Sequence, residues 1–397
     1  MSELFARGRI GGLTLPNRFI RAGCFEGMAQ GGNVTDALIA HHRDLAAGGC
    51  ALTTVGYCAV SKDARCFGHE LWMRDELVGQ LQRLTDAVHK EGGRASLQLV
   101  HCGFFSSPRV TGKRPIGASR KLCLFRLSIC DEMTQEQICT TTTDFADTAR
   151  RAKEAGFDAV EIHAGHGYLL SQFLSPWTNR RTDEWGGKLE NRLRFPVDVI
   201  RAVRAAVGPD FPILVKMNQM DGMKGGLVLK DALSIARAFE QAGASALIPS
   251  CGFTAKTPFL MLRGKLPVKE MVANQSEWLI KMGLFFFGRL FVQYYPFKSV
   301  FLLDGARAIA EEVSIPVVYI GGITSAADAQ QALDAGCAFV QIGRATVRDP
   351  AFVQRLQKAL ATSSDCDHCN RCIGAMDGGG VACLSAREGS LPALLTP

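Results

Sequence analysis

The chain has 397 residues, 47% of them hydrophobic and 21% charged, with a formal net charge of +7. That apolar content suffices for a large buried core and excludes an intrinsically disordered protein. The basic excess is scattered, with no basic block and no basic run interleaved with aromatics, so nucleic acid is not an expected partner.

From the N-terminus, Ile10 to Arg18 alternate apolar and polar residues around Gly11-Gly12, the pattern of a short hairpin, and Phe19 to Cys24 continue as a strand. One unit then repeats. Thr35 and Asp36 cap a helix over 37 to 47, Gly48-Gly49 ends it, and 50 to 56 is a buried strand. Helices 75 to 90, 134 to 155, 190 to 207 and 230 to 242 are each closed by glycine and followed by the strands 95 to 100, 159 to 162, 213 to 217 and 246 to 249. Helices 304 to 313 and 325 to 335 precede the strands 317 to 321 and 339 to 343, and a last helix covers 350 to 361. Eight apolar strands, each followed by a helix, argue for an α/β fold of the TIM (β/α)8 barrel type over a doubly wound sheet, and no GxGxxG follows any strand. The expected division is a barrel over 1 to 361, carrying the N-terminal hairpin, and a short Cys-rich C-terminal tail over 362 to 397. Two long connections, 102 to 131 and 251 to 303, both follow strand C-terminal ends and are expected to wall the catalytic face.

No apolar leader follows Met1. The most apolar region, Trp278 to Leu303, is broken by Lys281, Arg289, Gln293, Pro296 and Lys298, so no membrane span is expected, although Leu284 to Phe287 form a candidate docking patch. Fourteen cysteines in such a chain read as free thiols or metal ligands, and the cytoplasm is the expected location. Assembly as a homo-oligomer stays open.

Function in a barrel is carried by the strand ends. These offer Gly23-Cys24, Gly56-Tyr57, Gln98 with His101, His163 with His166 and Tyr168, Lys216 with Asn218, Ser250-Cys251-Gly252, Gly321-Gly322 and Gly343-Arg344. The last two pairs precede helices, where backbone N–H groups and an arginine suit a bound phosphate. A lone strand histidine is ordinarily structural, whereas two histidines and a tyrosine within six residues of one strand end form a candidate catalytic set.

The stretch EIHAGHGYLLSQFLSPWTNRRTDEWGGKLENR, from Glu161 to Arg192, resembles the signature of the old yellow enzyme family of FMN-dependent oxidoreductases. IGGLTLPNRF, SLQLVHCG, ILVKMN and IGRATVRDP match in register, so that the resemblance covers roughly 4 to 355. It implies bound FMN, with Gln98 at the flavin pyrimidine edge, Lys216 near N1 and O2, Cys24 beside Gly23 near O4 and N5, Gly56 at the second strand end, and Gly321, Gly322, Gly343 and Arg344 at the phosphate. His163 and His166 would donate to the carbonyl oxygen of a small α,β-unsaturated substrate, and Tyr168 would give a proton to its α carbon. NAD(P)H would reduce the flavin in a ping-pong cycle and the alkene would take hydride from N5. An NAD(P)H oxidase or a dienoyl-type reductase with another acceptor is the alternative within the family. A flavin-free lyase or isomerase acting on a phosphate ligand, with Lys216 as its catalytic lysine, is the alternative outside it, and a noncatalytic binding barrel is a third.

In the tail, Cys366, Cys369 and Cys372 form CxxCxxC, with Cys383 beyond a Gly-rich turn. Thiolates at such spacing suit a 4Fe-4S cluster or zinc, and reduced, unligated cysteines are the third reading. The segment resembles the cluster-binding stretch that follows the barrel in larger members of the family.

Overall fold

The computed structural model describes residues 3–275 and 278–388. Eight parallel strands run round a barrel in the order Phe19–Arg21, Leu52–Ala59, Arg94–Val100, Ala159–Ala164, Ile213–Met220, Ala246–Cys251, Val318–Ile320 and Phe339–Ile342. The eighth strand pairs with the first, and the ring closes between the sixth and seventh through the Leu247 N–H, which donates to the Pro316 carbonyl at 3.0 Å. Helices of the outer layer include Asp36–Ala47, Asp75–Lys90, Gln135–Glu154, Leu189–Val207, Leu229–Gln241, Leu303–Glu312 and Ala326–Asp334.

Local chemistry explains where these helices start and what they bury. Thr134 caps Gln135–Glu154 through its side chain, and Gln137 returns a bond to the Thr134 N–H, a reciprocal pair that satisfies two orphan donors. Ile138, Thr141, Phe145, Thr148, Ala149 and Ala152 then recur at helical spacing and face the sheet. Phe145 is fully buried, which stabilises the fold by roughly 1.5–3 kcal/mol. The expected helix over 350 to 361 is shorter, Phe352–Gln357, and a separate short helix, Arg344–Arg348, precedes it. Pro350, which lacks an N–H, stands between the two.

Side-chain alternation builds the barrel interior in layers. At the N-terminal end Ile20, Leu52, Ala159, Leu214, Ala246, Val318 and Phe339 pack on Ile10 and Leu15 of the hairpin Gly8–Ile10/Leu13–Leu15, which plugs that mouth. Two residues further along the strands the interior turns polar, with Thr54, Gln98, Glu161, Lys216 and Gln341, and two further still stand His163, Asn218, Ser250 and Gly343.

Both long connections wall the open end. The first contributes Gly103–Phe105, Pro108–Thr111 and a three-stranded sheet of Ile116–Gly117, Lys121–Cys123 and Ser128–Glu132. The second supplies Pro258–Met261, Val268–Asn274 and Trp278–Phe291. On the last of these, Trp278, Met282, Phe285, Phe286 and Phe287 are exposed. No described helix is long and apolar enough to cross a membrane. Against this wall lies the tail: Arg371 pairs with Glu270 at 2.7 Å, the Asn370 amide donates to the Leu262 and Lys265 carbonyls, and His368 stacks on Phe297.

Candidate active site

A cleft of about 1220 Å³ opens at the C-terminal end of the barrel. Its floor is the polar layer, where Glu161 is the hub. The carboxylate takes the Lys216 ammonium at 2.7 Å and the Gln98 amide N–H at 2.5 Å on one oxygen, and the Gln341 amide N–H at 2.7 Å on the other. Lys216 reaches the Gly23 carbonyl as well, at 3.3 Å. Each of these side chains is essentially inaccessible, so the ion pair and the amide bonds compensate for the cost of burying charge. The other amide oxygens, Gln98 Oε1 and Gln341 Oε1, are buried without a partner.

One strand end delivers three functional side chains. After Ala159–Ala164, His166 adopts a left-handed conformation (φ +56) and Gly167 follows it (φ +78), reversing the chain into the helix Leu169–Leu174 with Tyr168 as its cap residue. A non-glycine residue rarely holds such a φ. Here the His166 N–H donates to Asn218 Oδ1 at 3.0 Å, and its carbonyl accepts from the Thr254 N–H and hydroxyl. At position 167 a Cβ would stand 2.3 Å from the Phe253 ring, so glycine is required.

The rings of His163 and His166 lie 4.9 Å apart and those of His163 and Tyr168 4.8 Å apart, both edge to face. The Gly165 N–H donates to His163 Nδ1 at 3.3 Å, which assigns the neutral ring's proton to Nε2. His166 Nε2 is held by Ser250 Oγ at 2.7 Å. Burial, with the neighbouring His166 and Lys216 adding to it, holds His163 well below the usual histidine range, and burial pushes His166 down to about 3. Both imidazoles are therefore neutral. Tyr168 Oη sits 3.1 Å from Tyr57 Oη, and burial raises both phenols above their ordinary value.

Gly23, Cys24, Gln98, Lys216, Gly321, Gly322, Gly343 and Arg344 all line the cleft with His163, His166 and Tyr168. Gly56 lies behind it: its N–H donates to the buried Glu26 carboxylate, and a Cβ there would meet the Cys24 backbone at 2.5 Å, while Tyr57 takes the lining position. Beside the seventh strand a Cβ on Gly322 would be 2.6 Å from the Lys298 carbonyl. Arg344 is turned toward the tail and donates to the Arg263 carbonyl at 2.7 Å and Asn370 Oδ1 at 2.6 Å. His101 faces inward, accepting from the Gly103 N–H, and does not line the cleft.

These residues suit a flat, hydrogen-bonding cofactor with a phosphate arm. The unpartnered Gln98 Oε1 and Gln341 Oε1 need a donor, and beside Gly343 the cleft is open, since a Cβ there would meet nothing within 4 Å. The comparisons agree. Residues 3–248, more than half of the chain, match the NADH:flavin oxidoreductase / NADH oxidase family.

The chain belongs to that family.

It is an FMN-dependent NAD(P)H oxidoreductase with an old yellow enzyme-like TIM barrel. Residues 301–366, which hold the last two strands, also match a histidine biosynthesis protein family. The chain is 38% identical to the 4,4'-dithiodibutanoate disulfide reductase of Rhodococcus erythropolis, over 94% of its own length and 92% of that protein's. It is 31% identical to an NADH oxidase of Thermoanaerobacter brockii, over 94% of this chain and 54% of that one, so it spans about half of that larger relative. Among solved structures, the 2-naphthoyl-CoA reductase complex superposes with a TM-score of 0.83, 22% identity and coverage of 98% of this chain and 57% of the other. Morphinone reductase superposes with a TM-score of 0.72, 23% identity and coverage of 91% and 92%.

In the tail, the thiols of Cys366, Cys369, Cys372 and Cys383 do not converge on a single point. Among the described residues the one group with three ligand atoms within 4.8 Å of one another lies elsewhere. Arg348 donates to Cys383 Sγ at 3.6 Å.

Glu161 as the hub of the floor and Ser250 as the partner of His166 are residues that sequence reasoning missed. Strand parity carries the signal for both: Glu161 is two residues before His163, and Ser250 stands four residues after the inward-facing Ala246 on the strand Ala246–Cys251.

Proposed function

We propose that this protein reduces the activated double bond of a small α,β-unsaturated carbonyl compound, with NAD(P)H as reductant. The observation that supports it most is the pairing of a neutral, pre-oriented His163 Nε2–H with a protonated, buried Tyr168 on one wall of the cleft. Bound FMN would supply two-electron hydride chemistry, held by Gln98, Lys216 and Cys24 at the ring and by Gly321, Gly322, Gly343 and Arg344 at the phosphate. Arg344 would have to release Asn370 to serve there.

His163 Nε2–H donates to the substrate carbonyl oxygen, where negative charge develops. For His166 to add a second donor, the Ser250 hydroxyl donates its hydrogen bond to His166 Nε2, leaving Nδ1–H for the substrate. Tyr168 holds its proton until the α carbon needs it. Walls from the two long connections exclude water around these atoms.

A disulfide acceptor is the second reading, favoured by the Rhodococcus relative that matches along nearly its whole length. In that case Tyr168 protonates a leaving thiolate. Anaerobic reduction by NAD(P)H, followed by mixing with an enone or with a dialkyl disulfide, separates the two. Faster reoxidation by the enone is expected, and reoxidation by the disulfide alone would replace the first reading by the second.

Gln98 offers a check on the cofactor site. Gln98→Leu removes the unpartnered acceptor and a bond to Glu161, and FMN affinity should weaken by about 5-fold to 150-fold, as loss of roughly 1–3 kcal/mol implies. Fluorescence titration of the stripped protein with FMN reads this directly.

For the tail we favour an iron–sulfur cluster at Cys366, Cys369, Cys372 and Cys383 over zinc. No three of these thiols lie within 4.8 Å of one another, which suits a cluster of several metal atoms better than one tetrahedral ion, and Arg344 and Arg348 lie close enough to balance thiolate charge. The thiol-rich interior fits a reducing compartment such as the cytoplasm.

A further inference from the structure

Behind the aromatic wall of the cleft, outside the proposed catalytic set, lies a cluster that the reaction above does not use. Cys66 follows the short turn Lys62–Ala64, Glu70 precedes the two-residue strand Leu71–Trp72, and Cys102 lies two residues past the end of the third barrel strand. All three are buried, with exposures of 0%, 1% and 0%. One ligand atom from each lies within 4.8 Å of the other two.

We propose that Cys66, Glu70 and Cys102 form a binding site for a thiophilic divalent cation of the zinc class.

Three observations support it. The first is the donor set. Glu70 Oε2 accepts the N–H groups of Cys66 and Phe67 at 2.8 and 3.0 Å, which fixes the carboxylate, while its other contacts with the cluster are weak ones from thiols, the Cys102 Sγ standing 3.9 Å from Oε1. A buried carboxylate oxygen is thus left for a stronger partner. Tetrahedral zinc binds thiolate at about 2.3 Å and carboxylate at about 2.0–2.2 Å, so its ligand atoms stand roughly 3.3–3.8 Å apart. The cluster needs to contract by only about 1 Å to reach that spacing.

The second is charge. Two thiolates and a carboxylate carry three negative charges, one more than a divalent cation supplies. Arg126 provides the remaining positive charge: its guanidinium acts on both thiols, lies 4.9 Å from the Phe67 ring centre and 4.7 Å from that of Phe105, and has its Nε and Nη2 groups buried without a partner. Those orphan donors are accounted for when anionic ligands face them.

The third is access and a fourth position. Cys66, though buried, borders the cleft, so the cluster lies one side chain from its opening, and Tyr57 Oη stands 3.2 Å from Cys66 Sγ. Tyr57 is also the partner of Tyr168. A cation here locks the Cys66–Tyr57 contact and so positions Tyr57 beside the proposed proton donor.

The test uses the full-length flavin-loaded protein, purified under reducing conditions, exposed to zinc sulfate and freed of unbound ion. Elemental analysis should give about one more zinc per chain in the wild type than in Cys66→Ser or Cys102→Ser. Any ion held by the tail cancels in that difference. Cys123→Ser, which removes a neighbouring buried thiol, should keep the zinc. FMN content reports folding of each variant. If the serine variants fail to fold, Glu70→Gln carries the test, because its amide oxygen still accepts the two N–H groups. Its zinc dissociation constant, by chelator competition, should rise by at least the about 10–100-fold that loss of even an outer partner costs. Equal zinc in wild type and variants overturns the proposal, and so does a Cys66–Cys102 disulfide found by mass spectrometry in the zinc-treated wild type.

Discussion

Tyr168→Phe is expected to slow the alkene half-reaction by about 10²- to 10⁴-fold, the usual contribution of a positioned general acid, while reduction by NAD(P)H runs at nearly the wild-type rate. The substitution removes one oxygen and keeps the ring. Its edge-to-face packing on His163 at 4.8 Å and on Tyr57 at 5.5 Å survives, so the cleft keeps its shape. Stopped-flow spectroscopy of each half-reaction separates the two rates. Equal loss in both would remove Tyr168 from the proton-donor role. The pH dependence makes the same point with the sign worked out. His166 titrates at about 3 and His163 well below the ordinary histidine value, so both are neutral above that range, and the raised Tyr168 keeps its proton past the ordinary tyrosine value. Those groups should leave the alkene half-reaction flat from about pH 5 to about pH 9, with no histidine limb near 6.5.

His163→Ala should cost about 10²- to 10³-fold in the same half-reaction, the loss associated with one oxyanion donor in a dry site. Phenols, whose oxygen mimics the enolate, should bind correspondingly more weakly. The argument rests on orientation. With Nδ1 accepting from the Gly165 N–H, His163 arrives with Nε2–H free to donate and pays no rearrangement when charge develops. Unchanged phenol binding in the variant would take His163 out of the oxyanion site.

The barrel was legible because its grammar is local. Most helices end at glycine and each strand is a short apolar run, and the hairpin, the eight strands and both walls stand where that grammar put them. His163, His166 and Tyr168 were legible for the same reason, since six consecutive positions contain them. What was hidden depends on partners far apart in the chain. Glu161 meets Gln98 across 63 positions and Gln341 across 180, and only barrel closure makes it the hub of the floor. Cys66 and Cys102 come together because the connection after the second strand folds over the end of the third. Arg344 was expected at a phosphate, yet it bonds to Asn370 and the Arg263 carbonyl, a choice made by the tail and the 251–303 connection rather than by its own neighbours. The small sheet inside 102–131 pairs strands of two to five residues, too short to announce themselves by periodicity.

The hairpin at the bottom of the barrel has a kinetic counterpart. With Ile10 and Leu15 sealing that end, traffic passes through the mouth ringed by the two walls. In the proposed cycle, donor and acceptor would occupy the same volume by turns, and each would block the other when in excess. Steady-state rates should rise with either reactant and fall again beyond an optimum, the signature of a turnstile.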